Sequence, residues 1–330
     1  MFFRMGDFYE TFYEDAKTCS KVLGLTLTSR DKGSENPVPL AGVPWHAVDG
    51  YLRKMLQAGY KVAVCEQIED PKTAKGVVKR DVVRVVTPGT LTDDILLEAK
   101  KDNFLAAVWQ TNSASAISWV DISTGHFFAQ QLDENELLDE IVRLSPAECL
   151  LPDRRGELFE AQAKKLAKDI SELTGATITQ RPSWYFDPYQ AKQRLLKHFG
   201  TATLEGFGIH DADGAVIPPA GALIEYLNET QKTALAHIST VKKISRKKFL
   251  HIDYTSLQSL EVLRTIRTEG TKGTLLDCLD STLTPMGGRM FRNWLCRPLC
   301  ELSAIESRQD AVAELKDSDN RLIEVRKLLG

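Results

Sequence analysis

The stretch from Met1 to Phe12 constrains this chain most, because an apolar lead ends at Gly6 and a new periodic pattern starts directly after it. Phe8, Phe12, Ala16, Cys19 and Leu23 follow one another at spacings of three or four, the stripe of an amphipathic helix beginning near Asp7. Asp7 is a good N-cap, and Glu10 stands three residues on, where a capping-box partner reaches back to the backbone. On pattern alone Phe8 opens a core stripe and Glu10 holds a backbone N–H. A functional role for the pair is the other reading.

With 330 residues the chain has room for two or three domains with substantial cores. No apolar run is long enough for a membrane span and no signal-like segment precedes one, so a cytoplasmic location is expected. The six cysteines, at 19, 65, 149, 278, 296 and 300, include one close pair without the CxxC or histidine company of a zinc site. They read as reduced thiols, and no metal or cofactor is expected to bind them.

The net charge of −3 argues against a strongly basic polyanion binder, but its distribution is uneven. Residues 1–90 carry 13 Lys/Arg against 11 Asp/Glu (+2), residues 91–239 carry 13 against 22 (−9), and residues 240–330 carry 16 against 12 (+4). A polyanion should therefore favour the ends over the middle.

Residues 1–88 alternate strand and helix signals. A strand over 25–30 precedes a loop from Asp31 to Pro39, and Leu40 to Pro44 leads into a helix near His46 to Ala58 that Gly59 would stop. Strands follow at 61–66 and 77–86, making a small α/β domain. Lys72, Lys75, Lys79, Arg80 and Arg84 meet a single acid, Asp81, either as a solvated edge strand or as phosphate contacts.

An acidic linker from Thr92 to Asp102 leads to three strands, at 104–111, 116–123 and 126–132. Helices at 134–144, 157–173, 189–198 and 221–231 then alternate with strands at 149–151 and 177–180. Beyond a basic run from Lys242 to Lys248 the pattern is helical, at 255–268, 275–281, 285–296, 301–316 and 320–329.

Met5 to Glu10, with Phe12 after it, resembles the mismatch-reading motif of the MutS DNA mismatch-repair family. Further strings match in order: Pro39 to Ala47, Val64 to Pro71, Arg84 to Thr90, Leu250 to Leu257, Thr282 to Arg289, and Trp294 to Leu299. Ser259 departs from the Asn the family carries before Leu-Glu. The resemblance implies a mismatch-binding α/β domain over 1–90, a linker and ribonuclease-H-like connector over 91–239, and the start of a helical core or lever over 240–330. The fold class is thus multidomain α/β plus α.

The resemblance also implies roles. Phe8 would wedge into kinked, mismatched duplex DNA and Glu10 would hydrogen-bond the displaced base; Met5, Arg30, Leu40 and Arg80 would contact groove or backbone. The family's ATPase domain, with its ATP and magnesium, belongs to sequence further along. The chain contains no Gly-x-x-x-x-Gly-Lys-[Ser/Thr], and Gly270 to Thr274 has the wrong spacing. A binder rather than an enzyme is expected, monomeric in this form although the family dimerises, with a MutL-type protein as partner of the connector. Two alternatives are a protein-docking module and a metal-dependent nuclease on the connector, where Asp121 would be the first carboxylate.

Overall fold

In the computed structural model the description covers residues 1–329 except 31–35, 70–75, 77, 93–95, 112–113, 154–156, 233–234, 246–247 and 318; the side chains of residues 30, 157–159, 211 and 319 are likewise not described. The chain is multidomain α/β plus α, with two six-stranded mixed sheets followed by helices.

The first sheet begins with β1 (Phe2–Met5) and β2 (Phe8–Phe12), an antiparallel hairpin in which Met5 pairs with Phe8 and Phe3 with Glu10. Gly6 makes the turn in the left-handed region, φ +57°. The helix expected from Asp7 therefore starts six residues later, as α1 (Tyr13–Leu23), and Asp7 and Glu10 cap nothing. A spacing of four fits a helix and a strand equally, so Phe8 and Phe12 satisfied both periods. What decides is hydrogen bonding on both sides of β2, to β1 and to β4 (Val38–Pro44). Aromatic and β-branched residues suit such a pleated position. The stripe does hold beyond residue 12, where Ala16, Cys19 and Leu23 are buried.

After α1 come β3 (Thr28–Arg30) and β4, which takes in the last two residues expected as loop, Val38 and Pro39, and the five, Leu40 to Pro44, expected as a lead-in to helix. A short 3₁₀ turn precedes α2 (Val48–Gln57). Gly59 N–H bonds the Leu56 carbonyl at 2.9 Å and Tyr60 N–H the Met55 carbonyl at 3.0 Å, a Schellman ending with Gly59 at φ +83°. Then β5 (Val62–Gln67) and β6 (Arg80–Val86) complete the order β3-β4-β2-β1-β5-β6. Phe2, Tyr9, Val43, Val62 and Val64 pack from one face onto Cys19 and Leu23 of α1 and Leu52, Met55 and Leu56 of α2.

The second sheet opens with an antiparallel meander, β7 (Phe104–Gln110), β8 (Ser115–Asp121) and β9 (His126–Leu132). Then come α3 (Leu137–Leu144), β10 (Glu148–Asp153), α4 (Glu157–Thr174), β11 (Thr177–Pro182), α5 (Pro188–Phe199) and α6 (Ile217–Gln231). β10 runs parallel to β7 and to β11, so the meander continues as β9-β8-β7-β10-β11, the ribonuclease-H-like order. The unforeseen β12 (Lys242–Lys243) adds alongside β9.

Both faces of this sheet are covered. Leu105, Ala107 and Phe127 join the cluster of Leu195 on α5 and Leu223 on α6. Ala106, Val108 and Trp119 join that of Ile141 on α3 and Ile170 on α4. Helix α6 starts four residues before the glycine expected to open it, because Pro218 and Pro219 are tolerated in its first turn. Gly221 then lies against α5, where an added Cβ would sit 2.4 Å from that of Ala191.

The remaining helices are α7 (Tyr254–Ser259), α8 (Leu275–Leu279), α9 (Pro285–Cys296), α10 (Leu302–Lys316) and α11 (Asp319–Leu329). The helix expected over 255–268 ends at Ser259, since Glu261 lies at φ +47°, which a right-handed helix cannot contain.

One buried carboxylate joins the two sheets. Glu148, at the start of β10, accepts from Lys61 Nζ (2.9 Å), Thr179 Oγ1 (2.5 Å), Tyr226 OH (2.7 Å), the Gly89 N–H (3.2 Å) and Thr87 Oγ1. Lys61 immediately precedes β5, so the first sheet reaches into the second through this network. Burial by itself would raise the Glu148 pKa, but the Lys61 charge and the bonds from Thr179, Thr87 and Lys61 together hold it below the usual carboxylate range.

Candidate nucleic-acid interface

Among the described residues no helix packs on β1, β2 and β4 from the side opposite α1 and α2, α6 meeting this sheet at the edge strand β6, and strand register decides which residues the open side shows. Phe8, Glu10 and Phe12 alternate with the buried Tyr9 and Thr11, 6% and 2% exposed, so the three share the open side. Pairing adds Phe3 beside Glu10 and Met5 beside Phe8 from β1. It adds Pro44, Gly42 and Leu40 opposite Phe8, Glu10 and Phe12 from β4. Phe8 is 47% exposed, which rules out the core stripe that the pattern alone suggested. The Glu10 carboxylate takes part in no hydrogen bond or ion pair among the described residues. Gly42 keeps the strip beside both clear: a Cβ there would already touch Phe8 Cδ1 at 3.7 Å and Glu10 Cγ at 3.8 Å.

Arg80, from edge strand β6, also reaches this side. Its guanidinium lies 5.6 Å from the centroid of the Phe3 ring, while Nε donates to the Arg4 carbonyl and Nη1 to the Val78 carbonyl, both at 2.8 Å. These bonds fix the fork and leave Nη2 for another acceptor. Phe3 in turn meets Phe12 edge-on, ring centroids 6.3 Å apart. The structure thus brings Met5, Phe8, Glu10, Leu40 and Arg80 to one surface. The Arg30 backbone pairs with Val38 on the outermost strand, and its side chain lies outside the described residues, as do Lys72 and Lys75.

Sequence reasoning missed Phe3 as the ring beneath Arg80 and Phe12 as its edge-on neighbour. The even spacings of Phe3 and Met5 and of Phe8, Glu10 and Phe12 were the available signal, masked by the helical reading. On the covered side, Tyr9 donates to Glu66, and burial together with that carboxylate pushes its hydroxyl up to about 12. Arg4 lies over the Tyr9 and Trp45 rings, at 5.3 and 4.9 Å. This cluster is a support under the hairpin rather than part of the open surface.

Asp121 ends β8 as a structural acid. Its Oδ1 accepts from the Ser123 N–H (2.9 Å) and Oγ (2.6 Å), and its Oδ2 from the Asn103 N–H (3.2 Å). Glu148 is occupied by its own network. Among the described residues no group of three or more His, Cys, Asp or Glu could hold a metal ion.

Comparison with protein families matches residues 1–95 to MutS domain I, residues 103–239 to MutS domain II and residues 255–330 to MutS domain III. The first match covers the open-faced sheet, the second the ribonuclease-H-like sheet and the third α7 to α11. No helix of the described residues is long and apolar enough to cross a membrane. The chain belongs to the MutS family of DNA mismatch-repair proteins, whose general role is the binding of mismatched DNA.

Proposed function

We propose that the open face reads mismatched duplex DNA through Phe8 and Glu10. The observation that carries this is a half-exposed phenylalanine beside an unbonded carboxylate on a sheet face no helix covers. Phe8 stacks beside a base whose pairing is already defective, where unstacking costs least, and so kinks the duplex without reading sequence. Glu10 accepts a hydrogen bond from the displaced base edge. Met5 and Leu40 make apolar groove contacts, Arg80 offers its free nitrogen to a phosphate, and Arg30, whose backbone pairs with Val38, is a further candidate for contact with the DNA backbone. Residues 1–90 form the reading unit, residues 91–239 the connector and residues 240–330 the root of a helical lever.

The proposed activity is binding, with no reaction by this stretch of chain and no cofactor in it. The −9 charge over residues 91–239 favours a basic surface of a MutL-type protein as the connector's partner. The 330-residue chain acts as a monomer.

The test compares wild type, Phe8→Ala and Glu10→Ala for binding to the same duplex with and without one mismatch. Phe8→Ala should remove roughly 1–3 kcal/mol of affinity, nearly all of it from the mismatched duplex. Glu10→Ala should tighten binding to matched DNA, by relieving repulsion from phosphates, while weakening the mismatch contact. An unchanged mismatch-to-matched ratio in a folded Phe8→Ala variant would falsify the wedge.

A further inference from the structure

Where the second sheet meets the terminal helices, the chain buries more positive charge than it pairs. Arg143, in the last turn of α3, and Arg297, just past α9, both donate to the single carboxylate of Glu140. The three side chains are only 9%, 10% and 3% exposed. Two guanidiniums share one directly bonded carboxylate, with Asp139 and Glu136 acting on Arg143 only through space, so one buried positive charge is incompletely compensated, a costly arrangement. Arg143 also donates through Nη2 to the Ile252 carbonyl at 3.0 Å, but its buried Nε has no partner. Burial pulls both guanidiniums down, Arg297 to about 10.

A cavity of about 190 Å³ opens beside this pair, and its other walls deepen the imbalance. They bring Lys101, Arg292 and Arg308 towards Asp102, which already faces Arg289 Nε at 3.9 Å, while Lys101 Nζ also meets Glu98 at 4.0 Å. Counting Lys101, Arg143, Arg292, Arg297 and Arg308 against Asp102, Glu140 and the Glu98 that meets Lys101 leaves two positive charges in excess. Two tryptophans lie against the guanidiniums of Arg297 and Arg308. Arg297 lies 5.2 Å from the Trp119 ring centroid and Arg308 3.9 Å from that of Trp294. Stacking of this kind orients a guanidinium without using its N–H donors. Arg292 has no hydrogen bond or ion pair among the described residues.

We propose that this cavity is a binding site for a phosphate group. Forked donors around an excess of charge suit a dianion better than a single carboxylate. The volume is below the roughly 300–1,000 Å³ of sites for drug-sized ligands, so a free phosphate or the phosphate of a mononucleotide fits, and a duplex does not. The bound dianion would tie Arg143 of α3 to Arg292 and Arg308 of α9 and α10, fastening the helical segment to the second sheet.

The test is thermal unfolding of the 330-residue chain against added inorganic phosphate, with chloride holding ionic strength constant. A saturable rise in Tm is expected. The Arg292→Ala/Arg308→Ala variant, which changes two partly exposed residues, should melt as wild type does without phosphate yet need at least about tenfold more phosphate for the same rise. Arg292→Gln alone should give a smaller shift in the same direction. Adenosine monophosphate binding more tightly than phosphate would support a nucleotide source, and equal binding a free one. The proposal is overturned by a rise that does not saturate, by equal potency of glutamate, by an unchanged phosphate requirement in both variants, or by displacement of phosphate by matched duplex.

Discussion

Both sheets have six strands, yet helices cover one face of the first and both faces of the second. In the second, every residue of β8 is buried, including Ser115 and Ser118, because alternate side chains enter two different cores. In the first, β2 alternates between a buried and an open side, and the open side holds aromatic residues that a soluble domain would ordinarily place inward. Similar chemistry at matching positions thus does two jobs. Aromatic residues of the second sheet stabilise a core, whereas those of the first are left available for a planar partner.

The contrast is sharpest for two phenylalanines. Phe127 on β9 is 2% exposed, and Phe127→Ala should destabilise by about 3–5 kcal/mol through the cavity it leaves. Phe8→Ala should change stability by less than about 1 kcal/mol, since half of the ring already meets water. Urea unfolding of both variants checks this, and a Phe8 variant as damaged as Phe127→Ala would return Phe8 to a core.

The junction between the sheets should break with acid. Because Glu148 is held below its ordinary pKa of about 4, its network contributes fully above that value and is lost as pH falls through the lowered one. Urea midpoints measured from neutral to strongly acid pH should show this loss, and Glu148→Gln should flatten it. If the two profiles run parallel, the junction does not depend on that charge.

The smallest effect concerns Arg80. If its free nitrogen meets a phosphate, Arg80→Ala should lower the slope of log K against log salt by about 0.9 for matched and mismatched duplex alike. Phe8→Ala should leave that slope in place. A mismatch-specific loss in the Arg80 variant would mean that it reads bases instead.

Much of this architecture was legible in the sequence. The strand His126–Leu132 and the helix Pro285–Cys296 appear with the bounds expected, the latter because Thr284 caps it and Pro285 opens it. The failures have separate causes. At Phe8 and Phe12 a spacing of four could not separate the two periods, and at Val38–Pro44 two prolines disguised a strand. The helix over 255–268 was cut by a backbone reversal at Glu261 that no glycine announced.

Of the site, the motif pointed to Phe8 and Glu10, but their exposure depended on strand pairing, which only the fold supplies. In the sequence Glu148 is merely an acid next to the strand expected over 149–151. Its partners Lys61, Thr87, Thr179 and Tyr226 lie 31 to 87 residues away, beyond any local pattern.

An apolar sheet face without a cover invites neighbouring molecules to stack and extend the sheet, and the edges of the first sheet bear on that hazard. One edge is β3, only three residues long; the other is β6, where Arg80, Asp81 and Arg84 interrupt the apolar residues and a bulge between Val64 and Cys65 breaks the regular ladder with β5. A short strand, charges and a bulge are features that discourage edge-to-edge growth into fibres. The sheet can therefore keep one side bare without growing into a fibre, and the charge of Arg80, which lies over Phe3 on the open side, helps to keep the protein from polymerising.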